Sequence, residues 1–367
     1  MTLPDVRADA RVDVLTAWLR DDLKLPIMRL EVASNDASFR RYFRVWCTDG
    51  ESRVVMDAPP DKEDTAPFLK VAALLADCGV HVPRVYASDP QRGLVLLEDL
   101  GTVQYLTRLR AGDDPEPLYA DALEALLAMQ VRGLSACARL APYDRAALAR
   151  EMALMPEWFC ERHLQLTLGD EDREVLADTF ELLCEAALEQ PQVFVHRDYH
   201  SRNLMLLAER NPGIVDFQDA LAGPATYDLV SLLKDCYISW PRARVERWVD
   251  AYRVRLMAAN ARAHVSEQEF LRWFDLMGLQ RHIKVLGIFA RLWWRDGKSG
   301  YLGDLPRTLQ YVREATALEP RLTHFGEWLE RRVLPQFACA NARALGLAEE
   351  RARAAPAADA ASPCRVS

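Results

Sequence analysis

The 367-residue chain has 46 basic and 54 acidic side chains, a formal charge of −8, and half of its residues are hydrophobic. That is the profile of a globular protein large enough for two lobes around a cleft. The acidic balance speaks against a nucleic-acid partner, which would need a basic face, and no apolar run is long enough for a membrane span, since "KVLGIFARLWW" is interrupted by Arg291.

The first segment, "MTLPDVRADARVDVL", carries early acids and no unbroken apolar core, so no secretory signal is expected and a cytoplasmic protein is. Residues 9–22 have helical periodicity, with Val12, Leu15, Trp18 and Leu19 on one side. Tyr42, Phe43 and Val45, then Val54 and Val55, predict strands with turns at Asn35–Asp36 and Asp49–Gly50. A helix is expected over 65–78, stopped at Gly79, and two more strands flank a turn at Asp89–Gly93. Residues 1–100 therefore form a small β-rich lobe, expected to bind nucleotide.

From about residue 102 the apolar spacing becomes helical, as in "LYADALEALLAMQ" and "EQEFLRWFDLMGLQRHIKVLGIFARL". The strand-like pieces here flank one polar motif and read as a short hairpin embedded among the helices. The expected fold class is α+β, with residues 101–346 forming a larger helical lobe. The alanine-rich, proline-broken end, 347–367, reads as a disordered tail. The eight cysteines contain no CxxC pair, and several lie in apolar runs such as "FELLCEAAL"; reduced core thiols are expected, not disulfides or zinc.

The polar motif is "VFVHRDYHSRNLML", 193–206, followed by "PGIVDFQDA". Phosphoryl transfer from ATP needs one carboxylate to orient the acceptor hydroxyl and take its proton, and two oxygen ligands to hold Mg2+ against the phosphates. Asp198, Asn203 and Asp216 match these jobs in type and order. His196-Arg197-Asp198 with Asn203 five residues after the aspartate is the kinase catalytic-loop spacing, and Asp216-Phe217-Gln218 stands where kinases have Asp-Phe-Gly. A polar hairpin turn is the bland alternative, and it does not explain both halves together.

The run "HRDYHSRNLM…IVDFQDALAGPATYDLVSLL" resembles the aminoglycoside phosphotransferase superfamily, small-molecule kinases with the protein-kinase fold. With "SNDASFRRYFRV", "MDAPPDKED" and "LQRHIKVLGIFARLWWRDGKSGYLGDLPR", the likeness narrows to the bacterial N-acetylmuramate/N-acetylglucosamine anomeric kinases of cell-wall recycling, across about residues 31–310. It implies a two-lobed fold, ATP and Mg2+ as cofactors, an amino-sugar substrate, Asp198 as catalytic base, and Asn203 with Asp216 as metal ligands. His196 and Asp228 then support the catalytic loop.

The nucleotide side departs from the protein-kinase pattern. "SNDASFRRYF" replaces a glycine-rich loop; its Ser34, Asn35 and Ser38 are candidates to meet phosphates together with backbone N–H groups. Met56 and Asp57 stand where the third-strand lysine should be, and the next helix lacks its partner glutamate; Arg40, Arg41, Arg44 or Lys62 are candidate replacements. The hinge is expected at "LVLLEDLG", with Glu98 and Leu100 near adenine. For the acceptor the candidates are Arg202, Gln218, Arg281 and Arg295, the last two from a basic and aromatic segment that suits an anionic sugar better than a polycation. Two rivals stand beside this reading: a superfamily kinase for an amino alcohol, homoserine or antibiotic, and a nucleotide-binding pseudokinase supported by the missing lysine–glutamate pair.

Overall fold

Period-two alternation in residues 27–57 produces β1 (Ile27–Asn35), β2 (Arg41–Cys47) and β3 (Ser52–Asp57). With β4 (Val85–Asp89) and β5 (Leu94–Glu98) they form an antiparallel sheet in the order β1-β2-β3-β5-β4. The computed structural model describes residues 9–35, 39–259 and 265–354. Alternate side chains on a strand point to opposite faces. Phe43, Val45, Val55, Leu94 and Leu96 thus close a small core with Val12 and Leu15 of α1 (Ala10–Ala17) and with Trp18 and Leu19 just after it. The Asp9 side chain caps α1 by accepting the Arg11 N–H at 2.9 Å. Tyr42, Arg44 and Val54 point the other way, toward the cleft.

α2 (Ala66–Asp77) lies within a residue of its expected bounds at each end and buries Phe68, Val71, Leu74 and Leu75 in the main core, which also holds Met56, Val95 and Leu97. The β4–β5 turn requires glycine at position 93: its φ is +69°, and a Cβ there would lie 1.8 Å from the Ala58 carbonyl oxygen.

The rest of the chain is mainly helical, as expected. α3 (Tyr105–Arg110), α4 (Pro115–Arg132), α5 (Arg145–Met152) and α6 (Asp170–Leu188) precede the polar motif. After it come α7 (Tyr227–Leu233), α8 (Arg242–Ala259), α9 (Glu267–Trp294), α10 (Leu305–Thr316), α11 (Thr323–Trp328) and α12 (Leu334–Ala354). α9 is the axis of this lobe, packed by α5, α6, α7, α8, α10 and a π-helical turn at Met155–His163. A helix enclosed this way is expected to be apolar all round. Yet α9 buries Asp275, Gln280, Arg281, His282 and Lys284, and such groups are costly unless paired. Gly287 lets the chain at Leu154 approach: a Cβ there would sit 2.4 Å from the Leu154 carbonyl carbon.

Two expectations need correction. The boundary at 347 falls inside α12, which continues to Ala354, with Leu347 and Ala348 packed on the core and the Arg351 guanidinium 4.6 Å from the Trp293 ring. The alanine-rich composition that suggests a disordered tail is also that of a good helix, alanine being the best helix former; residues 355–367 lie outside the described ones. The strands around the polar motif also pair differently from a simple hairpin. β6 (Gln192–Val195) pairs with β9 (Leu221–Pro224), while β7 (Leu204–Met205) pairs with β8 (Gly213–Ile214). Among the described residues, no helix is long and apolar enough to cross a membrane.

Candidate active site

The buried strand β6 delivers the chain into the connection that carries Asp198. Arg197, just before it, has φ +79°, and Asp216, after β8, has φ +64°. The left-handed region is uncommon for side chains of this kind and persists where surrounding contacts over-determine it. Those contacts are visible at Arg197. Asp228, in the first turn of α7, accepts the N–H of His196 at 2.7 Å and of Arg197 at 3.0 Å. Burial nevertheless pushes the Asp228 carboxyl up to about 7, against the pull of those two N–H groups. Burial takes His196 down to about 4, and its Nδ1 accepts the Asp198 N–H at 3.2 Å. Asp235 pins the far side of the connection by accepting the Ser201 N–H at 3.0 Å and the Tyr237 N–H at 2.9 Å.

Asn203 joins the parts. Its Nδ2 donates to the Asp198 carbonyl at 3.0 Å and to Asp216 Oδ2 at 3.3 Å, which leaves Oδ1 as the acceptor end of the amide. Gln218 donates to Asp216 Oδ1 at 2.9 Å. Phe217 packs against Phe68 of α2, ring centroids 4.8 Å apart, so the Asp-Phe-Gln turn is tied to the sheet lobe by an apolar contact.

Behind Asp198 stand two cations on one face of α9. Arg281 lies 3.6 Å from Asp198 Oδ1 and donates to the Arg197 carbonyl at 2.8 Å and the Tyr227 hydroxyl at 3.1 Å. Lys284, one turn on, donates to the Tyr227 hydroxyl at 3.0 Å and pairs with Glu151 at 3.0 Å. Glu151 also receives Arg197 and the Tyr143 hydroxyl. Burial alone would raise the Asp198 carboxyl, but Arg281, Lys284 and neighbouring positive groups hold it well below the usual carboxylate range.

A cavity of about 670 Å³ opens over this floor. Tyr42, Arg44, Val54 and the segment Leu97–Gly101 line it from the sheet side; Asp198, Asn203, Asp216 and α9 line it from the helical side.

A family model described as phosphotransferase enzyme family matches residues 29–266. The chain belongs to that family. This phosphotransferase is 47% identical over 329 residues to a Pseudomonas putida protein named N-acetylmuramate/N-acetylglucosamine kinase, covering 87% of this chain and 96% of that one. It is 48% identical over 340 residues to a Pseudomonas aeruginosa protein of the same name, covering 90% and 98%. Among solved structures it is similar to an ethanolamine kinase of Plasmodium vivax, with TM-score 0.59, 11% identity and coverage of 85% and 90%. It is also similar to an ADP-bound aminoglycoside phosphotransferase, APH(2'')-Ib, with TM-score 0.52, 15% identity and coverage of 82% and 98%. These structural likenesses show the two-lobed fold.

The other expected site residues divide into several groups. Glu98 and Leu100 line the cavity of the phosphotransferase, with Glu98 accepting from the Arg84 N–H at 3.1 Å. Ser34 and Asn35 end β1, and Ser38 lies outside the described residues. Arg202 and Arg281 line the cavity. Gln218 does not; its amide is turned onto Asp216 and Asp219. Arg295 is a miss. It follows the end of α9, pairs with Asp296, leaves 54% of its side chain exposed and is not part of the cavity wall.

The third-strand question resolves in an unexpected direction. Asp57 faces α1, not the cleft, where Arg11 holds one carboxylate oxygen (Nε at 3.0 Å) and Arg41 the other (2.6 Å). Arg44 lines the cavity but makes a bidentate pair with Asp99 at 2.6 and 2.9 Å. Lys62 sits 5.0 Å from the Phe39 ring. Sequence reasoning missed Glu151, Asp235, Tyr237 and Tyr301. Asp235 and Tyr237 lie just past the end of α7, and Glu151 comes from α5, a separate helix that no local pattern links to the motif.

Proposed function

We propose that this phosphotransferase transfers the γ-phosphoryl group of ATP to the anomeric hydroxyl of N-acetylmuramate and N-acetylglucosamine. The product is the α-1-phosphate, within cytoplasmic peptidoglycan recycling. The observation that carries the chemistry is the junction at Asn203, which holds the Asp198 backbone and the Asp216 carboxylate together at the floor of the cavity. The choice of acceptor is supported by the names of the two Pseudomonas relatives, matched over nearly their whole length.

In this reading Asp198 accepts a hydrogen bond from the acceptor hydroxyl and takes its proton as the new O–P bond forms and ADP leaves. Its low proton affinity fits a group that orients the nucleophile and receives the proton late, as a loose phosphoryl transfer allows. Asn203 Oδ1 and the Asp216 carboxylate are hard oxygen donors, a small set that suits Mg2+ because that ion retains waters and phosphate oxygens. Magnesium held there supplies charge neutralisation at the phosphates. Asp228 and His196 act by fixing the loop. The cationic side of the site is built from Arg281 and Lys284, since Met56 is buried in the core and Asp57 faces away.

Phosphorus NMR of the protein with Mg-ATP and a panel of free sugars, choline, homoserine and kanamycin tests this. An anomeric phosphate signal with either amino sugar is expected. ADP formed only with another acceptor would keep the kinase and discard the sugar. Bound nucleotide with no transfer to any acceptor would overturn the catalytic reading.

A further inference from the structure

Four cations line the cavity: Arg44, Arg202, Arg281 and Lys284. Three have carboxylate partners, namely Asp99, Asp198 and Glu151. Arg202, among the described residues, makes neither an ion pair nor a hydrogen bond. Its guanidinium lies 3.6 Å from the centroid of the Tyr237 ring and 5.7 Å from that of Tyr301. The acids around it are otherwise engaged: Asp235 is bonded to Ser201 and the Tyr237 N–H, and Asp304 is bonded to Arg307.

A guanidinium this close to a ring face is held in position while donors at its edge remain available to a ligand. That arrangement suits a planar anion able to take two parallel hydrogen bonds. The surroundings favour a sugar. Phe289 lies 6.2 Å from Tyr237 and 5.1 Å from Tyr301, and Phe289, Tyr237 and Tyr301 all line the cavity. Arg202 immediately precedes Asn203 and lines the same cavity as Asp198, so the arginine and the base face one ligand space.

We propose that Arg202, stacked on Tyr237, is the carboxylate contact for the acceptor: it binds the lactyl group of N-acetylmuramate and sets the preference between the two amino sugars. This rests on the acceptor reading above. The two sugars share the ring, the N-acetyl group and the anomeric hydroxyl; they differ in the lactyl ether, which carries the carboxylate. An interaction with that carboxylate acts on one acceptor and is absent from the other.

The test uses the full chain as wild type, Arg202→Gln and Arg202→Lys, with thermal melts as the folding control. Steady-state ADP release is measured with N-acetylmuramate, its neutral methyl ester and N-acetylglucosamine. For Arg202→Gln the KM for N-acetylmuramate should rise roughly ten- to a hundredfold, the range for losing a charged hydrogen-bonding partner. Its ratio of kcat/KM over that for N-acetylglucosamine should fall at least tenfold. Arg202→Lys should recover part of the ratio, and the ester should be a poorer acceptor than the acid for wild type but not for Arg202→Gln. An equal loss of kcat with both sugars would assign Arg202 to the transferred phosphoryl group and overturn the proposal. So would an equal rise in KM for both, or an ester that wild type uses as well as the acid. Wild-type protein that phosphorylates neither sugar would overturn the acceptor reading itself, before any variant is compared.

Discussion

Asp57 in the sheet lobe and Asp198 in the helical lobe are both carboxylates beside two cations, and they differ in what is left over. Each oxygen of Asp57 is taken by an arginine, one from α1 and one from β2, and its side chain is fully buried. Asp198 has Arg281 and Lys284 on its α9 side, and 42% of its side chain is still exposed. The first arrangement closes on itself and joins α1 to the sheet. The second stabilises a charge while leaving an edge open for a ligand. Residue type does not separate the closed carboxylate from the open one here; the number of coordination directions left free does.

Removing the open carboxylate should have the largest effect. Asp198→Asn is expected to lose roughly 10³-fold or more in kcat, in the upper range for a positioned proton acceptor, while nucleotide affinity measured by titration stays within a few fold. Asp57→Ala strands two arginines and should cost about 3–5 kcal/mol of stability, as breaking a buried ion pair does. Its turnover per folded molecule should be near wild type. A collapse of kcat at unchanged melting temperature would show that Asp57 acts in the cleft, and the contrast would fail.

Acid titration sharpens the same contrast. In the helical lobe, burial holds His163 and His196 at about 4 and His282 at about 3. A histidine with a depressed folded pKa is protonated first in the unfolded chain, so its stabilisation is full above about 6.5 and lost as pH falls toward 4. Each such group represents on the order of 3 kcal/mol over that window. Asp228 has the opposite sign, because its raised pKa favours the folded state on acidification below about 7. Burial also pushes His200 down and the Asp304 carboxyl up, so four histidines against two aspartates predict a melting temperature that falls between pH 6.5 and 4.5, with a shallower slope in His282→Gln. A flat profile would contradict this. The smallest effect is expected from Gly287→Ala, which overpacks α9 against Leu154 at a cost of about 1–3 kcal/mol. Because α9 carries Arg281 and Lys284, this variant should lose several-fold in kcat as well, whereas Asp57→Ala should lose stability alone.

What the sequence disclosed follows from the range of the forces involved. The spacing of Asp198, Asn203 and Asp216 was readable because one connection and one turn present all three. The bounds of α2 and the turn at Gly93 were likewise local. The pairing of β6 with β9 was not, since the partner lies beyond a second small sheet. Nor was the cluster of Glu151, Tyr143 and Tyr227, drawn from separate elements to satisfy charges on α9. On α9 itself, helical period groups Arg281, Lys284, Arg291 and Arg295 on one side, so period alone does not reject Arg295. That residue was lost because the helix ends at Trp294.

The 28-residue length of α9 has one further consequence. Val285, Ile288, Phe289 and Leu292 line the cavity from the same rod that carries Arg281 and Lys284. A lineage drifting toward a new acceptor by tilting or sliding this helix would drag the charges away from Asp198 and lose speed as it changed taste. The easier evolutionary route runs through the short turn at Ser299–Asp304, where Tyr301 meets the cavity and no residue pairs with Asp198. Divergence among relatives with different acceptors should therefore accumulate in that turn, while the helix axis stays where it is.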